Sequence, residues 1–465
     1  FCDMTAYKGK TINISYEGDP SGLSKIYQDD RIEGHESLYK EKNRPQFHFT
    51  TQRGWINDPN GLIYYDGKYH LFYQHNPYER EWENMHWGHA VSEDMIHWEY
   101  LPLALAPSEV YDDHLKGGCF SGSAIEHDGK LFLIYTGTCN NGNGFEQAQC
   151  IAYSEDGIHF EKYEGNPVIT APEGVPTDLF RDPKVWKHDD TYYVVCGASK
   201  NGFAQARLYK STDMFHWEFV NVLAESRGEW GYMWECPDFY PVGDKYVLMF
   251  SPMGGKERTS VYLVGWANAW DWMPFWKDWG PTYQEGWCGF YNIPREAVLA
   301  EDNTLKFIPV KELQDLRKNK QEEADILIKE DEKKELRSGC VYETEMRINL
   351  KKSTADKIKL NLRMSQGKKT EILFDLKRAE AYFDRNNSDG WSKGVARCPL
   401  NFVLIFLYSI NNLFFLTIHR FLLLPLQSPP LFTYVINTVR FIYHVNFIEL
   451  ISFVYRIIFL NNLFN

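Results

Sequence analysis

The sequence lacks the marks of several common chemistries. None of its 9 cysteines stands in a C-x-x-C pair or a Cys/His ladder, which excludes zinc ribbons and c-type haem. Positive charge is in deficit: 50 Lys and Arg face 63 Asp and Glu, for a net −13, so no nucleic-acid partner is expected. A Gly-rich phosphate loop, a Ser/His/Asp ordering and metal-ligand spacing are all missing, and neither a cofactor nor a metal is expected. The chain opens at Phe1 without a charged region followed by an apolar one, and it reads as a fragment or a processed chain. The triplets at Asn13 and Asn386 fit the glycosylation pattern and leave the compartment open, with a slight lean to extracellular. What the chain does have is aromatic side chains: 16%, with 15 Trp and 29 Tyr among 465 residues. Such residues serve equally as core and as stacking surfaces for sugar rings, whose C–H faces are apolar. The length predicts two or three domains.

Helical periodicity is scarce, and the first part of the chain repeats itself. "DGKYHLFY" at 66–73 returns as "DGKLFLIY" at 128–135, "DDTYYVVC" at 189–196 and "GDKYVLMF" at 243–250. A second phrase alternates with it: "SEDMIHWE" at 92–99, "SEDGIHFE" at 154–161 and "STDMFHWE" at 211–218. Short β-branched and aromatic segments, cut by Gly, Asp and Asn turns and repeating about every sixty residues, predict the blades of a β-propeller.

Aligning the units on the first phrase puts Asp58 of "NDP", Asp182 of "RDP" and Glu235 of "ECP" at one register, with Phe120 and Ser121 at the matching place in the second unit. An Asp-Pro step is a common turn start, and any one of these would be read that way. Three in register in different blades are better read as a cluster, because innermost strands of a propeller face one another across its channel. Two acids with different tasks are what glycoside hydrolysis needs, one at the anomeric carbon and one to protonate the leaving oxygen. Calcium binding is the competing use of clustered acids. The nearby Trp55, Trp82, Trp87 and Trp234 favour a sugar, as an aromatic wall around the acids. Glu235, between Trp234 and Cys236, is expected to be the neutral proton donor. Asp58, among Asn57, Asn60 and turn N–H groups, is expected to be ionised, and Arg181 to keep Asp182 charged or let it accept bonds from sugar hydroxyls.

The motifs "WINDPNG", "FYQHNP", "WGHAVSEDMIHWE", "CFSGSA", "FRDPKVW", "WECPDFY" and "NIPRE" resemble glycoside hydrolase family 32, the invertases, inulinases, levanases and sucrose-6-phosphate hydrolases, from about Pro45 to about Leu400. The resemblance implies an all-β chain, a five-bladed β-propeller followed by a β-sandwich, that releases terminal β-D-fructofuranosyl residues from sucrose or fructans with retention. It implies Asp58 as nucleophile, Glu235 as acid/base, and Asp182 as the residue that binds fructose hydroxyls and steadies the transition state. It further implies that Asn57, Gln74, Trp82, Phe120, Ser121 and Arg181 shape the fructose pocket. The preferred fructoside and the oligomeric state stay open.

Two stretches depart from the family. "ERTSVYLVG" runs directly into "WANAW", as if a piece were deleted near Gly265–Trp266, so the fifth blade is expected to be incomplete. A fructan-binding propeller that has lost turnover through that deletion is the alternative reading. After Pro399 the sequence has no Gly, Ala, Lys, Asp, Trp, Cys or Met. This apolar tail reads either as a membrane span, since 399–418 is uncharged, or as translated non-coding DNA. Asn411, Asn412 and the prolines count against a membrane helix, and the second reading is preferred, with few long-range contacts expected from the tail. The expected division is an N-terminal extension (1–44), the propeller (45–317), a partial sandwich (318–398) and this tail (399–465).

Overall fold

The computed structural model describes the chain apart from residues 1–6, 14–27, 30, 32–33, 115, 143, 244, 255–264, 268–279, 301–304, 331, 337–340, 342, 351, 389–392, 401–414, 418–433, 444–457 and 461–465. It is an all-β structure of mostly antiparallel sheets arranged as a propeller and a sandwich.

Blade one holds β1 (Gly54–Tyr65), β2 (Lys68–Asn76), β3 (His86–Ser92) and β4 (Glu99–Leu105). Blade two holds β5 (Gly118–His127), β6 (Lys130–Asn140), β7 (Phe145–Ser154) and β8 (Glu161–Lys162), with the short β9 (Ile169–Thr170) also on β7. Blade three is β10 (Phe180–His188), β11 (Thr191–Lys200), β12 (Phe203–Ser211) and β13 (Glu218–Glu225). Blade four begins with β14 (Met233–Val242) and β15 (Lys245–Met253). The ring then closes, because β16 (Trp287–Cys288) pairs in parallel with β1. The fifth sheet has two described strands, β17 (Arg295–Leu299) and β18 (Leu305–Pro309). Of the expected deletion point, Gly265 and Trp266 are described, while the segments on either side of 265–267 lie outside the described residues.

Both repeated phrases are turn chemistry. In "DGK" the central pairs Asp66–Gly67 and Asp128–Gly129 have φ of 45° and 80°, and 50° and 77°. Two consecutive positive φ values make the tight hairpin that matches strand twist. In the second phrase Asp94, Asp156 and Asp213 each accept two backbone N–H bonds and pair with the His ring three residues on, at 2.6, 2.7 and 2.7 Å. This Asp–His clamp sets the bend between the third and fourth strands of a blade.

Blades pack face to face through apolar layers. Phe72, Trp87, Leu131 and Tyr135 join blades one and two; Ile134, Ile151, Phe180 and Val194 join two and three; Val195, Trp234, Phe239 and Phe250 join three and four. Gly197 on β11 has no Cβ because one would collide with the Trp234 carbonyl, so it lets blade four approach beside the "ECP" step.

The sandwich has two four-stranded sheets. One is β21 (Lys357–Ser365), β22 (Lys368–Asp375), β23 (Glu380–Asp384) and β24 (Val395–Pro399). The other contains β19 (Lys318–Ile328) and β20 (Glu343–Asn349) together with β25 (Phe415–Thr417) and β26 (Tyr434–Tyr443). Met346, Ile348, Ile358, Ile372, Phe374 and Phe383 form its core. The expectation of few long-range contacts for residues 399–465 is not met by their described backbone. β26 pairs antiparallel with both β19 and β20, and β27 (Ile458–Leu460) adds to β15 in blade four. The reason is local: "YVINTVRFIY" is rich in β-branched and aromatic residues, and it supplies backbone donors and acceptors to two strands that otherwise have an open edge.

Candidate active site

β1, β5, β10 and β14 are the strands that carry the aligned steps, and successive ones lie against each other. Each breaks register with its hairpin partner at the step itself: between Ile56 and Pro59, Phe120 and Gly122, Arg181 and Lys184, and Glu235 and Asp238. In β1, β10 and β14 the proline of the step has no N–H to give the ladder, while in β5 the break falls at Gly122, where a Cβ would collide with the Ile134 carbonyl; each bulge re-aims side chains toward the channel. Asp182 and Cys236 occupy left-handed backbone, with φ of 62° and 46°. The Asp182 N–H, lost from the ladder, is taken by Thr136 Oγ1 at 3.0 Å.

These four bulges bring the acids together. Cys236 donates its N–H to Asp182 Oδ2 at 2.9 Å, and its Sγ lies 3.6 Å from that oxygen and 3.9 Å from Asp58 Oδ2. Ser121 Oγ donates to Asp58 Oδ2 at 2.8 Å. Arg181 Nη2 pairs with Glu235 Oε1 at 3.0 Å, and its Nε is 4.0 Å from Asp182 Oδ2. Gln147 Oε1 and the Asp178 carbonyl accept from the other end of the guanidinium.

The electrostatics correct the expected charge assignment. Burial pushes the Asp182 carboxyl up to about 7; Arg181 opposes it, while Glu235 and Asp58 add to it. Arg181 therefore does not hold Asp182 in the ordinary carboxylate range, because desolvation in a crowded acidic site outweighs one cation. Asp58 is likewise raised by burial, against hydrogen bonds from Ser121 and Asn57. Glu235 is not enclosed by Trp234 and Cys236 as expected: its side chain is 35% exposed and ion-paired. Burial pushes the Cys236 thiol well up, so it stays an S–H beside the two aspartates.

The aromatic wall is also corrected. Trp55, Trp87 and Trp234 are fully buried core, whereas Trp82 is 37% exposed, its ring edge-on to Phe120 at 5.6 Å. Asn57 is buried and accepts from Trp55 Nε1 at 2.7 Å. Gln74 is buried, with its amide nitrogen 2.7 Å from the Cys119 carbonyl. The structure thus brings Asp58, Ser121, Arg181, Asp182 and Glu235 into one hydrogen-bonded group. Phe120 and Trp82 sit beside it, Asn57 bonds to Asp58, and Gln74 is held at the Cys119 carbonyl. Among the described residues no group of three His, Cys, Asp or Glu is placed to hold a metal.

Residues 48–271 match the glycosyl hydrolases family 32 N-terminal domain, and 312–403 match the family 32 C-terminal domain. A sucrose-6-phosphate hydrolase of Zymomonas mobilis is 35% identical over 412 residues, 77% of this chain and 79% of that protein. This chain belongs to glycosyl hydrolase family 32. A levanase of Bacillus subtilis is 32% identical over 76% of this chain and 60% of its own length. Among solved structures, a family 32 β-fructofuranosidase of Bombyx mori in complex with sucrose aligns with a TM-score of 0.64 at 28% identity, covering 86% of this chain and 93% of that one.

The motifs of the family did not point to Thr136 and Gln149, fully buried residues that tie blade two to the Asp182 backbone. Thr136 Oγ1 bonds to Gln149 Oε1 at 2.9 Å, and Gln149 Nε2 to the Phe180 carbonyl at 3.0 Å. Their signal in the sequence is a polar break in the apolar runs "LFLIYTG" and "AQCIAY".

Proposed function

We propose that the protein is a retaining β-fructofuranosidase that releases terminal fructose from sucrose or fructans. The observation that carries this reading is the meeting of a buried aspartate, a part-buried aspartate and an ion-paired glutamate at the same bulge of different blades, around a single arginine. In this reading Asp58 attacks the anomeric carbon of the fructosyl unit while Glu235 protonates the departing glycosidic oxygen. A water then gives its proton to Glu235 and displaces Asp58, so configuration is kept after two inversions. The Ser121 hydroxyl steadies the Asp58 carboxylate in both steps. Asp182 receives fructose hydroxyls and takes over the Arg181 charge when Glu235 carries its proton. Trp82 and Phe120 offer an apolar edge to the sugar, and Asn57, Gln74 and Arg181 hold the pocket in shape.

The other reading, a fructan-binding propeller without turnover, has less support, because all three acids are present and hydrogen-bonded together. Fructose release from sucrose and inulin, with inulin binding measured separately, distinguishes the two. Turnover in the wild type that falls at least about 10³-fold in Asp58→Asn supports the enzyme. Binding without turnover in the wild type contradicts it.

A further inference from the structure

Asn60, expected from the sequence to help keep Asp58 ionised, is among the most buried polar residues of the chain, 1% exposed on β1 within the irregular step between Pro59 and Gly61. Three donor atoms converge on one end of its amide: Gln74 N at 3.1 Å, Gln74 Nε2 at 3.0 Å, whose other proton goes to the Cys119 carbonyl, and Trp87 Nε1 at 2.9 Å, whose one proton is shared with the Phe120 carbonyl at 3.0 Å. Only an oxygen satisfies that end, so the nitrogen must face the other way, where it meets Ser121 Oγ at 3.2 Å. The amide orientation is thereby fixed by its surroundings, and Gln74 and Trp87, 2% and 0% exposed, cannot turn to release it.

The consequence lies in the hydroxyl of Ser121, which has one proton and two lone pairs. Asn60 donates into a lone pair, so the proton cannot point at Asn60 and is directed to Asp58 Oδ2, 2.8 Å away. With the amide reversed, its oxygen would compete with Asp58 for that one proton. We propose that Asn60 is a positioning residue of the reaction, orienting the Ser121 proton onto Asp58 through a one-way chain of donors from Gln74 and Trp87. It does not touch the sugar. The chain stabilises the ionised carboxylate at a position where burial works against charge. The inference rests on the reading of Asp58 as nucleophile.

The test is the pH dependence of kcat/KM on sucrose or inulin for the full chain, in Asn60→Leu and Asn60→Asp, alongside Ser121→Ala and Asp58→Asn. Asn60→Leu keeps the approximate shape and adds no charge. It should move the acidic limb upward by about 0.5–1 pH unit, as expected when a hydrogen bond to an ionised form is lost. Asn60→Asp keeps the acceptor but removes the donor facing Ser121 and adds a charge, and it should move the limb further. Added to Ser121→Ala, Asn60→Leu should cost less than about a further 2-fold, since both act through one bond. A drop in kcat/KM with the acidic limb unmoved, in whichever Asn60 variant folds, shows a packing role only and overturns the proposal. If Asp58→Asn keeps wild-type turnover, the nucleophile reading falls and takes the proposal with it. If Asp58→Asn is inactive and the limb stays put, the proposal alone falls.

Discussion

Two sets of aspartates recur from blade to blade in this propeller, and their surroundings have opposite effects on charge. Asp94, Asp156 and Asp213 sit at the bend before the fourth strand, with side chains 37%, 53% and 47% exposed. The His159 ring and backbone bonds hold Asp156 below the usual carboxylate range, and Asp94 is lowered to about 2 because such bonds together outweigh its burial. Asp58 and Asp182 sit at the bulges of the inner strands, where burial raises both, Asp182 to about 7. One aspartate type is thus used twice. Where it closes a turn, the fold stabilises its charge; where it faces the channel, the fold resists it. A carboxylate that the fold resists is available to bind, attack or exchange a proton, and repetition alone does not tell the two apart.

The sharpest way to break this comparison is at the site. Glu235→Gln should lower turnover on sucrose by about 10²–10⁴-fold, the usual range for a lost general acid, with little change in melting temperature. With fructosyl fluoride, whose leaving group needs no proton, the first step in this variant, read as the burst of fluoride release, should stay within about 10-fold of wild type, while steady turnover remains slow because the attacking water still needs Glu235 as base. Equal losses in the first step on both substrates would remove Glu235 from the proton-transfer role.

The next effect concerns stability and has a definite sign. Because the folded-state carboxyl of Asp182 lies at about 7, against an ordinary 3.8, the folded protein binds this proton more tightly than the unfolded chain does. Its stabilising contribution is therefore full below pH 3.8 and is lost as pH rises through about 7. Asp182→Asn, which cannot ionise, should be nearly inactive yet melt higher than wild type above pH 7, with the difference vanishing toward pH 4. A variant that melts lower at pH 8 would contradict the account of that site.

The smallest effect belongs to the turns. Asp156 has its acidity strengthened by folding, so its contribution is present above the ordinary 3.8 and is lost as pH falls below it. Asp156→Ala should leave kcat and KM unchanged and lower the melting temperature at pH 7 by about 1–3 °C, as for loss of about 1 kcal/mol in a large domain. A change in kcat would mean that the clamp is coupled to the channel.

The propeller was legible in the sequence because a repeated turn leaves a repeated phrase: "DGK" needs positive φ, and the Asp–His clamp needs both residues at fixed spacing. The register of Asp58, Asp182 and Glu235 was legible for the same reason. Their charges were not, since desolvation depends on how four strands from distant parts of the chain crowd together. Nor could the sequence separate Trp82 from Trp55, Trp87 and Trp234, as all four lie in similar aromatic contexts and only packing decides which faces the channel. The pairing of β26 was hidden by composition, which marks a segment as apolar without saying which strands it will join.

The most direct test of the central claim, that Asp58 and Glu235 carry out two successive displacements, is the stereochemistry of the first product. NMR spectra recorded within the first turnovers of sucrose should show fructose appearing as the β-furanose, with other forms growing in as it equilibrates. First appearance of the α-furanose would mean a single displacement by water, and would contradict the account.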